Sequence, residues 1–258
     1  AGQTASLPDG WIGLLETRLD VGALLQQDET VDLLIPRGSN AFVRYIMDHT
    51  RIPVLGHADG VCHVYLDEGA DPDMAIRTVL DSKIQYVAVC NAVETVLIHE
   101  KLVPGLLEPL AAALKNAGVE PFGCARTCQA LGCRPVTDWH TEYLDYKVSL
   151  KIVTSLDDAI THINRYGSHH TDAIVTADAE TARRFLVAVD SGNVFWNCST
   201  RFSDGYRYGF GAEVGISTSK IHARGPVGLE GLVTYQYRLL GHGQIVADYA
   251  SGQAVFKH

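Results

Sequence analysis

Short apolar blocks alternate along this chain with longer segments in which apolar residues recur at helical spacing. Val31-Asp32-Leu33-Leu34-Ile35, stopped by Pro36-Arg37-Gly38, reads as a buried parallel strand, and Pro53-Val54-Leu55 as a brief second one. Residues 11–16 read as a short strand, 21–27 as a turn or two of helix, and Ser39-Asn40 as the cap of a helix over 41–48. The pattern continues with a strand over 62–66 and a helix over 72–83 that has proline in its first turn and acidic residues at its start. An amphipathic helix over 103–117 is ended by Gly118 and followed by strands over 119–121 and 146–153. Ser155, with Asp158 three positions on, opens a helix that runs to Tyr166 and stops at Gly167. A strand over 173–176, a helix over 179–189 and a strand over 194–197 complete the series. Repeated strand–helix alternation predicts an α/β fold built on a parallel sheet with right-handed crossovers.

Three segments stand apart from that alternation. Residues 123–140 have little periodicity and predict an irregular or mobile loop. Residues 199–211 are rich in glycine, aromatics and arginine and poor in aliphatics, which suits a loop over a ligand better than a core. Residues 232–239 alternate again and predict an edge strand used in oligomerisation. Lys220, His222 and Arg224 put local positive charge before Gly225-Pro226, which suits either a phosphate or carboxylate pocket or a solvated turn.

Length and charge narrow the function classes. A chain of 258 residues buries a large core, as one large or two modest domains. A formal net charge of −9 argues against a broad nucleic-acid footprint. No apolar run approaches a membrane span. The N-terminal residues lack the charged and apolar parts of a secretory signal. Six cysteines are too few for a disulfide framework at this length, so a reduced, cytoplasmic setting is expected. Cys124, Cys128 and Cys133, with His140 nearby, have ligand chemistry for zinc, but their spacing differs from paired knuckles, and a cysteine-rich surface loop fits as well.

The most informative residue is Cys90. The apolar run 84–89 ends at this cysteine, a small polar step Asn91-Ala92 follows, and a helix-like segment then begins. A thiol at such a strand-to-helix junction is positioned for thiolate stabilisation by helix N–H groups and for covalent catalysis. The same pattern also suits a buried structural cysteine.

The runs IPRGSN, HADGVCHVYLD, VCNAVET, TEYLD, YGSHHTDAIVT, VDSGNVFWNCSTRFSDGYRYGFGAEVGIST and KIHARGPVGLEGL together resemble the γ-glutamyl phosphate reductase (glutamate-5-semialdehyde dehydrogenase) family, within the aldehyde dehydrogenase superfamily. FWN-x-STRFSDGYR is also similar to the reductase half of bifunctional pyrroline-5-carboxylate synthases. The resemblance implies an aldehyde-dehydrogenase-like catalytic domain over 56–197, the end portion of a Rossmann-like cofactor domain over 1–55, and a substrate loop, return to the cofactor domain and oligomerisation strand over 198–258. It implies NADPH-dependent reduction of L-glutamyl 5-phosphate to L-glutamate 5-semialdehyde and phosphate, through a thioester on Cys90, in proline biosynthesis. His57 lies where hydrolytic members carry a water-activating Glu, which favours acyl-phosphate reduction over aldehyde oxidation. His57 and Glu142 are then expected on the cofactor side, Glu142 at the nicotinamide ribose. Asn91, Asn197, Ser199, Thr200 and Arg201 are expected on the substrate side, with Arg201 gripping an anionic group. No resident metal is implied. A homo-oligomer is implied, and association or fusion with a glutamate kinase is compatible with the pathway. Family members carry a long segment before the position of Leu7, so a non-catalytic oligomerisation or regulatory remnant stands as the alternative to the reductase.

Overall fold

Apolar side chains fill both faces of the central strands, and those strands form a parallel sheet. The computed structural model describes residues 7–57 and 59–256. Helices α1 (Arg18–Leu24) and α2 (Asn40–Asp48) precede the sheet. Strand β1 (Cys62–Leu66) leads through α3 (Pro72–Ile84) to β2 (Val93–His99). Two tight turns, Glu100–Leu102 and Val103–Leu107, run into α4 (Glu108–Asn116). Then come β3 (Glu120–Gly123), α5 (Ala125–Leu131), β4 (Arg134–Pro135), β5 (Lys147–Val153), α6 (Leu156–Tyr166), β6 (Thr171–Val175), α7 (Ala179–Ala188) and β7 (Asn193–Trp196). A 3-10 turn, Thr200–Phe202, and α8 (Gly205–Tyr208) follow. The antiparallel pair β8 (Gly215–Ser217) and β9 (Gly225–Val227) comes next, and then α9 (Val246–Ala250).

The seven-stranded sheet has the order β4-β3-β5-β2-β1-β6-β7, with every neighbouring pair parallel. Val64, Leu66, Val96, Ile98 and Leu150 pack one face against Ala75 and Val79 of α3 and Leu110 and Leu114 of α4. Tyr65, Leu97 and Ile174 pack the other face against Ala159 and Ile163 of α6 and Phe185 of α7. Two-sided burial explains why β1, β2 and β6 are buried at every position rather than at every second one.

Polar caps set the helix starts. Ser39 accepts from Phe42 N, Asp71 from Met74 N ahead of Pro72, and Asp178 from the N–H groups of Glu180 and Thr181. Ser155 caps α6 by accepting from Asp158 N at 3.1 Å, while the Asp158 carboxylate turns to Thr154 N.

Several expectations are corrected. Among the described residues, 11–16 form no strand, and 232–239 pair with no strand of their own chain. The strands expected over 31–35 and 53–55 shrink to a single parallel bridge, Leu34 to Val54. Residues 123–140 are ordered into α5 and β4, with Gly132 ending α5 in the left-handed conformation at φ 65°. The order around Cys90 is reversed: α3 ends at Ile84, a turn follows, and β2 begins at Val93. The segment after Asn91-Ala92 resembles a helix because Glu94 and Thr95 interrupt its apolar residues. In the fold both are buried within β2.

Candidate active site

Four of the segments that build the site lead into the N-terminal end of a parallel strand. His57 and Gly60 precede β1, Cys90 and Asn91 precede β2, Glu142 precedes β5, and His170 precedes β6. These four strands are neighbours in the sheet, so their leading loops fall along one edge. Gly60 lies so close to Cys90 that a Cβ there would collide with the Cys90 carbonyl and Cα. The Cys62 thiol donates to the Cys90 carbonyl at 3.1 Å.

Cys90 and Glu142 open onto one cavity of about 170 Å³, which Arg37, Gly38, Asn40 and His57 also line. Asn40 Nδ2 donates to Glu142 Oε2 at 2.7 Å and to Asp59 Oδ1 at 3.0 Å, and Gly60 N donates to Glu142 Oε1 at 2.9 Å. Asp59 is further paired with Arg44. Glu142 is thereby held facing the cysteine. Burial and then the Glu142 charge push the Cys90 thiol up to about 11, against the pull of its own backbone N–H and of Arg201. Cys90 is therefore protonated at neutral pH in this chain. No helix N-terminus offsets that burial, because Cys90 precedes a strand.

A buried ion pair supports the floor. Lys83 Nζ and Glu94 Oε2 are 2.7 Å apart and both side chains are inaccessible to solvent. Glu94 Oε1 accepts from Leu144 N at 3.2 Å, which ties the end of α3 and the start of β2 to the loop that carries Glu142. Burial raises Glu94 to about 7 and lowers Lys83, so desolvation outweighs the attraction for both partners.

The expected substrate-side residues divide into two places. Asn91 Nδ2 donates to Ser203 O at 2.8 Å and so fastens the Cys90 turn to the segment after β7. Ser199 Oγ and Thr200 N both bond Ser82 Oγ near the end of α3, at 3.2 and 3.1 Å. Arg201 Nε donates to Gln85 Oε1 at 2.8 Å, and Arg201 shares a cavity of about 200 Å³ with Arg207, Asp81, Gln85 and Phe202. These four residues stand on the Cys90 side of α3. Asn197 does not: with φ 55° it follows β7, and its side-chain amide bonds Thr176 N and O, both at 2.9 Å, beyond the C-terminal end of β6. His57 lies beside Cys90, with Nδ1 against Ile216 O at 2.8 Å.

The remaining clusters have other partners. Lys220 and Arg224 direct their charge at Asp190, at 2.6 and 3.0 Å, and hold its carboxyl below the usual range. Cys133 Sγ lies 3.7 Å from Cys128 Sγ, Cys124 Sγ faces Thr127 Oγ1, and the His140 ring packs on Tyr166. Sequence reasoning made no assignment to Arg37, Asn40 or His170. The signal was within reach, since all three lie inside the motifs IPRGSN and YGSHHT.

Among the described residues no helix is long and apolar enough to cross a membrane. The aldehyde dehydrogenase family profile matches residues 1–127. A γ-glutamyl phosphate reductase of Pelotomaculum thermopropionicum is 64% identical over 98% of this chain and 59% of its own length. One from Acetivibrio thermocellus is 62% identical over 100% of this chain and 60% of its own length. The crystal structure of the γ-glutamyl phosphate reductase of Thermotoga maritima superposes with a TM-score of 0.86 at 39% identity, covering 89% of this chain and 56% of that one. The chain thus spans about three-fifths of the curated relatives it matches.

Proposed function

We propose that this chain, whose residues 1–127 match the aldehyde dehydrogenase family and which resembles γ-glutamyl phosphate reductases along nearly its whole length, carries the thiol chemistry of an acyl-phosphate reductase acting on L-glutamyl 5-phosphate. The observation that supports this most is the shared cavity of Cys90 and Glu142, a nucleophile and a carboxylate brought together from separate loops. Cys90 Sγ attacks the acyl carbon, the carbon–oxygen bond to phosphate breaks, and phosphate leaves with that electron pair, giving a thioester on Cys90. The thiol proton leaves to solvent before attack, since burial keeps Cys90 protonated. Arg201, on the same side of α3, offsets part of the Glu142 charge at the sulfur and offers a fork for a carboxylate or phosphate. Asn91 holds the nucleophile turn in place through Ser203.

The donor set fits a nicotinamide cofactor at its ribose end. The Glu142 carboxylate accepts from Asn40 and Gly60 and, with about four acceptor positions in all, keeps lone pairs for ribose hydroxyls. A reduced nicotinamide, when bound, supplies the hydride that takes the acyl group to the aldehyde level. His57 stands beside the cysteine, and the Glu142 carboxylate in the same cavity is engaged by Asn40 and Gly60 and assigned to the ribose rather than to activating water. We read 1–55 as the end portion of the cofactor domain, 56–197 as the catalytic domain and 198–258 as the returning segment. NADPH as the cofactor and a cytoplasmic homo-oligomer belong to the same reading.

The test is phosphate-dependent oxidation of glutamate 5-semialdehyde, followed by NADPH absorbance, on the full-length protein and its Cys90→Ser variant. The expected result is a loss of at least about 1,000-fold in the variant. An equal rate in the two proteins would overturn the assignment.

A further inference from the structure

We propose that His57, Cys90 and His170 form a three-ligand site for a thiophilic divalent cation such as zinc. One ligand atom of each residue lies within 4.8 Å of those of the other two. Tetrahedral zinc with sulfur and nitrogen ligands sets those atoms about 3.5 Å apart, so a contraction of roughly 1 Å closes the site. The backbones of His57 and Cys90 are held by their neighbours and His170 is anchored directly before β6, so closing the site requires rotation of the Cys90 and His57 side chains.

The ring nitrogens are already sorted for coordination. His57 Nδ1 faces the Ile216 carbonyl at 2.8 Å, which only accepts, so Nδ1 carries the proton and Nε2 keeps its lone pair. His170 Nδ1 is engaged by Thr171 Oγ1 at 2.8 Å, and its Nε2 is fully buried with no hydrogen-bond partner among the described residues. A buried ring nitrogen without a partner is costly, and in the tautomer whose Nδ1–H donates to Thr171 Oγ1 the Nε2 lone pair is free for a cation that relieves that cost. Burial and the neighbouring His57 keep His170 neutral, as a ligand must be. Coordination exchanges the Cys90 S–H bond for a sulfur–metal bond, and the proton leaves to solvent without any change of oxidation state. Three protein ligands leave a fourth position for water. A cation there occupies the sulfur lone pair and masks the nucleophile reversibly. That consequence, unlike the site itself, rests on the reductase reading.

The site is tested by titrating the metal-free, reduced protein with Co²⁺ and following its absorption. The expected result is one cobalt per chain, with a thiolate-to-cobalt charge-transfer band and the visible bands of a tetrahedral centre. The band is expected to be lost in Cys90→Ser and in His57→Asn, and kept in the Cys128→Ser/Cys133→Ser double variant. His57→Asn carries the histidine arm because the buried His170 is the riskier residue for folding, and circular dichroism confirms that each variant is folded. A band that survives Cys90→Ser, or one that vanishes in the double variant, would overturn the proposal, as would no band at stoichiometric cobalt. The mask is tested separately by the phosphate-dependent NADPH assay with zinc and then a chelator. Inhibition reversed by the chelator supports it. Full activity with the site occupied overturns the mask and leaves the metal site standing.

Discussion

The sheet region and the segments that flank it contain similar apolar residues and leave them in opposite states. Between 62 and 196, Tyr65, Leu97 and Phe185 are fully buried. In the flanks, Leu19 is 86% exposed, Tyr237 88% and Leu239 98%. Residues 232–239 alternate in a strand-like period, yet among the described residues of this chain no strand pairs with them. Hydrophobic period is thus a capacity for structure, and a partner surface realises it. The candidate site lies on the seam. Cys90, Glu142 and His170 come from the sheet region, whereas Arg37, Gly38, Asn40 and His57 come from the flank, and the bond from Asn40 to Glu142 joins the two.

The largest effect that would break the comparison lies beneath the seam. Lys83→Met removes the counter-charge of buried Glu94 and is expected to cost about 3–5 kcal/mol in urea unfolding at pH values well above 7, where Glu94 is ionised in the wild type. The same pair gives a pH signature. Glu94 is raised from 4.5 to about 7 in the folded protein, so the stability it contributes is fully present below pH 4.5 and is lost as pH rises through 7. Glu94→Gln has no such titration, and its unfolding midpoint is expected to gain on the wild type across that interval. An unchanged difference between the two proteins would show that the pair is not desolvated as described.

Next in size is the sheet core. Leu97→Ala removes a side chain held between β2 and the α6–α7 layer and is expected to cost about 2–5 kcal/mol by denaturant midpoint. At the site, Glu142→Gln removes the negative charge that acts most strongly on the thiol. Alkylation of Cys90 by iodoacetamide at neutral pH is expected to speed up about three- to tenfold, as for half to one unit of lowered pKa. The smallest effect sharpens the contrast from the other side. Leu239→Ser is expected to leave stability within about 0.5 kcal/mol, and a larger loss would mean that the flank is packed after all.

Much of the fold was legible because the helices carry their own punctuation. Ser155, Asp71-Pro72 and Gly118 act within a turn of chain, so their signals survive into the structure. Residues 125–131 were missed because α5 is short and lacks a side-chain cap. Cys90 was legible as a chemically important thiol, but its surroundings were inverted, since the buried Glu94 interrupts the apolar run of β2 and its partner Lys83 lies on another element.

The sequence by itself determined most of the alternation of strands and helices, the capped starts of α2, α3 and α6, and a family resemblance that placed Cys90 and Glu142 among the residues of interest. Local hydrogen bonding and apolar period suffice for the first two. The tertiary structure alone decided that Cys90 precedes a strand, that its thiol is raised rather than lowered, that His170 joins it, and that Asn197 stands at the other end of the sheet. Those facts depend on which parallel strands are neighbours and on how much solvent the packed layers exclude. Both are properties of contacts between residues far apart in the chain, and no local pattern encodes them.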